Sequence, residues 1–297
     1  MVDDASTEDI GAVCKEFEDK LNIIHLRREK NEGPAAARND GLRWAYRLKL
    51  EYIMFLDSDD LFYPNTIKVL SYEIKHTNSD VVIADVAQED LLIESQRRET
   101  DDRIGIWCHG KIYRTAFLQQ YNIWFPPVNT NEDVAFNFTI NLITKKILKV
   151  NTELYLQRNY KHSMTREAGT RTYNTVRSID LIDANFHAIS QYVELCNKKI
   201  IKPSSESVVT NVMVLYNYYQ TGKEVLGKIP DDIEEKMWWM LHLDFVQEYF
   251  SKPKNFLIIK KYIDPFEEID GKIVFFKETF YEWYTRLGGK VCEGSNS

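Results

Sequence analysis

The chain has 297 residues, with 38 Lys and Arg against 45 Asp and Glu and a formal net charge of -7. This length allows one large domain or two ordinary ones, and 44% hydrophobic with 28% charged residues excludes disorder as the main theme. The acidic balance argues against a nucleic-acid polymer as partner, no apolar run approaches the roughly 18 residues that span a bilayer, and Met1-Val2-Asp3-Asp4 is no signal peptide.

In chain order, Ile23 to Leu26 is a short apolar run that predicts a strand. Asn31-Glu32-Gly33-Pro34 predicts a turn, with Pro34 as the first residue of a helix that sets Leu42, Ala45 and Tyr46 on one face. Tyr52 to Leu56 is an unbroken apolar run, expected to be a strand buried on both faces. A helix follows Pro64 with Ile67, Leu70 and Ile74 at helical spacing, and Val81 to Ala84 is the next buried strand. The polar stretch from Gln88 to Arg103 reads as a loop. A helix over Thr115 to Tyr121, another from Glu132 carrying Val134, Phe138 and Leu142, and strands at Ile147 to Val150 and Leu154 to Gln157 complete this half. The alternation points to an α/β domain with a mostly parallel sheet.

After Arg166 the periodicity is helical, in Val176 to Leu195, Val208 to Tyr219 and Ile233 to Phe250. The apolar stripes Trp238-Trp239-Met240-Leu241 and Phe275-Phe276 read first as core, and only second as a partner or membrane face. Cys14, Cys108, Cys196 and Cys292 are far apart with no Cys-x-x-Cys pair, so packed, reduced thiols in a cytoplasmic setting are expected.

The strongest chemical signal is the apolar strand ending in Asp57-Ser58-Asp59-Asp60. Ligands of open α/β sheets bind beyond the carboxyl ends of strands. Two carboxylates one residue apart at such a point can grip Mg²⁺ or Mn²⁺, and the cation can neutralise a diphosphate. Taken alone, the same residues read more often as a turn, with Asp60 capping the next helix. Glu132-Asp133, taken alone, reads as acids in the first turn of a helix, favoured by its dipole.

Several blocks in order change that balance. Val2-Asp3-Asp4-Ala5-Ser6-Thr7, Asn31-Glu32-Gly33 with Ala37-Arg38-Asn39-Asp40-Gly41, Phe55 to Asp60, Trp107 to Tyr113, Phe125-Pro126 with Glu132 to Phe136, and Tyr155 to Thr165 together resemble family 2 glycosyltransferases of the GT-A fold, the nucleotide-diphospho-sugar transferase fold, of the bacterial capsule and lipopolysaccharide type. The resemblance covers residues 1–168, with 169–297 as a mainly helical accessory region. It implies an inverting, metal-dependent enzyme that moves a hexose-type sugar from a UDP-sugar to a glycan or lipid-linked acceptor in surface polysaccharide synthesis. The protein would be cytoplasmic, with peripheral membrane contact and self-association left open.

The resemblance also implies roles. Asp3, Asp4 and Arg38 would contact uracil, Asp57 the ribose and Ser58 the nucleotide-sugar, and Asp59, together with Asp57, the Mn²⁺ or Mg²⁺ and its diphosphate. Asp133 would be the general base with Glu132 as its neighbour. Lys111 would offset diphosphate charge, or be a plain surface lysine; His162 would complete the metal shell, or be a solvated histidine; His109 is read as packing.

Family members normally begin with a strand and helix before the Val-Asp-Asp strand, so a unit of about 30 residues is expected upstream of Val2. Without it the uridine pocket would be half-open and the enzyme poor. Ala5 stands where the family usually has Gly. Two other readings are a haloacid-dehalogenase-like phosphatase, which also sets Asp-x-Asp after an apolar strand, and a non-catalytic glycosyltransferase remnant.

Overall fold

The computed structural model describes residues 1–90, 96–100, 107–128, 130–159, 171–255, 266–269, 272–275 and 280–289. The chain divides into two compact units, Met1–Ser163 and Met164–Ser297.

The first unit opens with β1 (Val2–Asp3) and α1 (Ile10–Lys15), then β2 (Leu26–Arg27), α2 (Gly33–Arg47), β3 (Tyr52–Met54), β4 (Leu61–Phe62) and α3 (Thr66–His76). It continues through β5 (Val81–Asp90), β6 (Gln96–Thr100), β7 (Lys111–Arg114), α4 (Thr115–Gln120), α5 (Glu132–Ile143) and β8 (Ile147–Asn159). Strands β1 and β2 pair in parallel as a sheet of their own. The main sheet has the order β3-β7-β5-β8-β4, with β6 paired to β5.

This is an α/β unit, but its sheet is mixed rather than mostly parallel. Among the described residues only β5 and β8 run parallel in it; β3/β7, β5/β7, β5/β6 and β4/β8 are antiparallel. An apolar run reports burial, and strand direction depends on which distant partner it meets. For the same reason Tyr52 to Leu56 is not a central strand. β3 stops at Met54, pairs with β7 at the end of the sheet and is half-buried, while Leu56 is 49% exposed.

The stretch expected to loop after Gln88 instead extends β5 to Asp90 and returns as β6. Charged side chains do not prevent an antiparallel ribbon whose backbone groups are paired. The two expected strands at Ile147 to Val150 and Leu154 to Gln157 form one strand, β8. Its register against β5 slips between Ala84 and Val86, so Ala84 faces Val150 while Asp85 faces Glu153. Such a bulge bends a strand without ending it.

Alternation along β5 divides the core. Val81 and Ile83 join Leu42, Phe117, Phe125, Phe136 and Ile140 on the face covered by α2, α4 and α5. Val82 and Ala84 join Leu70, Ile74 and Ile112 on the α3 face.

The second unit contains α6 (Arg171–Asn197), α7 (Ser205–Leu226), α8 (Asp231–Leu241) and α9 (Asp244–Phe250), then β9 (Phe266–Ile269), β10 (Lys272–Phe275) and α10 (Phe280–Arg286). The single run expected over Ile233 to Phe250 is two helices that break at His242 and Leu243. The β9/β10 hairpin was not visible as a periodicity. Met240 and Leu241 are core, whereas Trp238 is half exposed. Among the described residues no helix is long and apolar enough to cross a membrane. Cys14 and Cys108 are buried free thiols, Cys196 is a partly buried one, and Cys292 lies outside the described residues.

Candidate active site

The N-terminus of α2 is built on Asp4. Its carboxylate accepts the backbone N–H groups of Glu32 (3.1 Å) and Gly33 (2.7 Å), and meets Arg28 Nε at 3.1 Å. Those are the orphan donors and the positive pole of a helix start, and an acid satisfies both. Asp3 is buried, accepts Ser6 N–H at 2.8 Å and is bound by Arg27. The Ser6 backbone and side chain, with Arg27 beyond them, hold its carboxyl below the usual range. Both acids expected at the uracil therefore also tie β1 to the segment beside it.

One turn into α2, Arg38 links two motifs. One guanidinium nitrogen donates to Asp57 Oδ1 at 3.0 Å and another to Glu132 Oε1 at 2.5 Å. The guanidinium carbon lies 5.5 Å from the centre of the Phe125 ring, a cation–π distance. Phe125 stacks on Phe136 at 4.0 Å and meets Phe55 edge-on. The neighbouring Asn39 clamps the Phe125 backbone, donating to its carbonyl (2.9 Å) and accepting its N–H (3.0 Å). Burial works against charge on Arg38, but Cys108, Asp57 and Glu132 outweigh it and hold the group protonated far above the ordinary pH range.

The Asp57–Asp60 turn is braced from β8. Tyr155 Oη accepts the Asp57 N–H at 3.3 Å and donates to Asp60 Oδ2 at 2.7 Å. Asp60 Oδ1 accepts Arg158 N–H at 2.9 Å, and Arg158 Nε donates to the Asp59 carbonyl at 2.7 Å. Asp60 is buried and does not cap α3, whose N-cap is Asn65. Burial raises its pKa, against the pull of Tyr155 and Arg158. Ser58 and Asp59 are exposed and Asp57 is half-buried.

Asp133 lies one residue beyond Glu132 in the first turn of α5, after Asn131 in the left-handed conformation (φ 64°). Its Oδ1 accepts its own helix's Val134 N–H at 2.8 Å. Burial, and then the Glu132 charge, push its pKa up to about 6. A carboxylate so tuned is ionised at neutral pH and still basic enough to take a proton.

Lys111 is not a surface lysine. It is 1% exposed on β7, and its ammonium donates to the Trp107 carbonyl. His109 is packing, as expected, stacked between Trp107 (5.3 Å) and Tyr155 (4.9 Å). His162 lies outside the described residues.

Asp57 and Asp59 suit a hard cation by donor type. Among the described residues no three His, Cys, Asp or Glu side chains converge as a full metal shell. The pair can thus supply part of a shell, which matches Mg²⁺-like sites completed by substrate phosphates and water.

Sequence reasoning missed Tyr155, Asp60 and Asn39 as parts of this site. Asn39 and Tyr155 sit inside blocks that carried the resemblance, but their partners lie 86 and 98 residues away along the chain.

Residues 1–129 match the model of the family described as "Glycosyl transferase family 2". Over 193 residues the chain is 26% identical to the glycosyltransferase GlyA and 28% identical to the glycosyltransferase GlyG of Streptococcus pneumoniae serotype 4. Each match takes in 56% of this chain, with 27% of GlyA and 62% of GlyG. The poly(ribitol-phosphate) beta-N-acetylglucosaminyltransferase TarS of Staphylococcus aureus is 28% identical over 167 residues, 52% of this chain and 29% of TarS. The chain thus spans less than two thirds of these relatives. The solved TarS fragment 1–349, in complex with UDP-GlcNAc, superposes with a TM-score of 0.50 at 18% identity, covering 92% of this chain and 86% of that one. The fold is therefore GT-A, and residues 1–129 of this chain match glycosyl transferase family 2.

Proposed function

We propose that this chain is an inverting glycosyltransferase that takes a sugar from a UDP-sugar and transfers it to a hydroxyl of a glycan or lipid-linked acceptor in cell-surface polymer synthesis. The observation that carries the reading is Arg38, which joins Asp57 of the Asp-x-Asp turn to Glu132 beside Asp133. Asp57 and the Glu132 neighbour of the candidate base thus meet at a single side chain. The curated relatives named as glycosyltransferases support the reaction class, and TarS supports an N-acetylhexosamine donor and a wall-polymer acceptor.

In this reading Asp57 and Asp59 hold Mn²⁺ or Mg²⁺, which supplies charge neutralisation at the diphosphate. Asp3, Asp4 and Ser58 border the nucleotide, and Lys111, whose charge reaches Asp133, offsets diphosphate charge. Asp133 takes the proton from the acceptor hydroxyl. The oxygen bonds to the anomeric carbon from the face opposite the diphosphate, and the carbon–oxygen bond to UDP breaks with inversion. The second unit serves acceptor binding, self-association or docking at a membrane surface.

UDP release from a panel of UDP-sugars, with and without Mn²⁺, tests the assignment. Metal-dependent release that Asp59→Ala abolishes while the protein stays folded is the expected result. A folded protein that neither binds UDP nor releases it would be a non-catalytic remnant.

A further inference from the structure

We propose that Arg38 is an internal latch on the donor site. Its guanidinium occupies the Asp57 carboxylate and must let go before that carboxylate can serve a divalent cation. The inference rests on the glycosyltransferase reading only in taking Asp57 as a cation ligand.

The two arms of Arg38 are unequal. The Glu132 arm is short, 2.5 Å, and its carboxylate side chain is 9% exposed. The Asp57 arm is longer, 3.0 Å, to a side chain that is 38% exposed. Water competes well for the second pair and poorly for the first. The guanidinium is further held by the Phe125 ring beneath it and by the Asn39 clamp on the Phe125 backbone. Arg38 is thus anchored on the α5 side and releasable on the Asp57 side. A guanidinium keeps its charge at any working pH, so Arg38 can leave Asp57 only by moving. Binding at Asp57 becomes a competition between a fixed internal cation and an incoming one. The incoming one gains when a diphosphate arrives with it, because the phosphate oxygens give it ligands that Arg38 does not displace. The design makes free metal bind weakly and donor with metal bind together.

The test is Mn²⁺ affinity without nucleotide, read by electron paramagnetic resonance on the full chain, for wild type, Arg38→Gln and Arg38→Lys. Arg38→Gln removes the competitor and is expected to tighten Mn²⁺ binding on the order of tenfold. Arg38→Lys keeps the charge but lacks the fork that reaches both carboxylates. It is expected to stay on buried Glu132 and to tighten Mn²⁺ binding by a smaller factor. Adding UDP should raise Mn²⁺ affinity more in wild type than in either variant. Unchanged affinity in Arg38→Gln overturns the latch, as does tightening in Arg38→Gln with wild-type affinity in Arg38→Lys, which would leave only a general charge effect. Absence of Mn²⁺ binding in all three also overturns it. Failure of the glycosyltransferase reading shows separately, as no UDP binding by wild type with Mn²⁺ present.

Discussion

Asp133 is where a single side chain bears on stability and, as the proposed base, on rate. Its carboxyl, raised to about 6 by burial and by Glu132, is protonated in the folded state over a pH range where the unfolded chain is ionised. Folding therefore costs free energy above pH 6, and the cost fades as pH falls from 6 towards 4. Asp133→Asn is expected to raise the melting temperature at pH 7.5, by roughly 1–3 kcal/mol of stability, and to lose this advantage near pH 4. If Asp133 is the base, the same variant keeps donor binding while transfer falls by about 10²–10⁴-fold. Wild-type transfer should then rise with pH through an apparent pKa near 6. Retained transfer in Asp133→Asn with loss in Glu132→Gln would move the role to Glu132. Ala5 gives a smaller test. It has φ 63°, a conformation in which a Cβ is strained, so the residue standing for the family's usual Gly carries that strain. Ala5→Gly is expected to stabilise by up to about 1 kcal/mol in chemical denaturation.

At the scale of elements, the brace between β8 and the Asp57–Asp60 turn decides whether the acids keep their positions. Tyr155→Phe removes one hydroxyl and leaves buried Asp60 short of a donor and Asp57 N–H short of an acceptor. A loss of about 1–3 kcal/mol is expected, together with weaker Mn²⁺ and UDP binding. Stability loss with unchanged ligand affinity would show that the brace serves folding alone. Gly110, just ahead of β7, has φ +66°, and a Cβ there would come within 2.8 Å of Val86 Cγ2. Gly110→Ala should therefore destabilise by on the order of 1–3 kcal/mol in equilibrium unfolding. The β5/β7 pairing that the turn before Lys111 allows is the link between the block at Trp107 to Tyr113 and the core.

At the scale of the whole molecule, the two units differ in architecture: a mixed sheet layered with helices, then packed helices with a short hairpin. A chain ended near Gly169 is expected to keep UDP binding and to lose transfer to its natural acceptor. Full transfer by that shorter chain would show the second unit to be dispensable for chemistry. The core of the first unit was visible because β5 and its helices carry periodic apolar residues, so Leu42, Leu70, Ile74, Phe138 and Leu142 fall at buried positions, whereas Ile67, at the same spacing, is exposed.

The sequence by itself determined the match to family 2 glycosyltransferases over its first part, the α/β class of the first unit and the helical character of the second, because periodicity and ordered local blocks are written in consecutive residues. It also placed the Asp-x-Asp turn after an apolar strand and the Glu-Asp pair at a helix start. Tertiary structure alone decided the rest. Strand direction, the edge position of β3, the β5/β6 ribbon and the burial of Lys111 depend on partners far along the chain. The Arg38 bridge joins residues 19 and 94 positions away, and the Tyr155 brace spans 98 and 95. Charge and hydrogen bonding in this site act through space, and no local pattern of residues encodes which acid an arginine will meet.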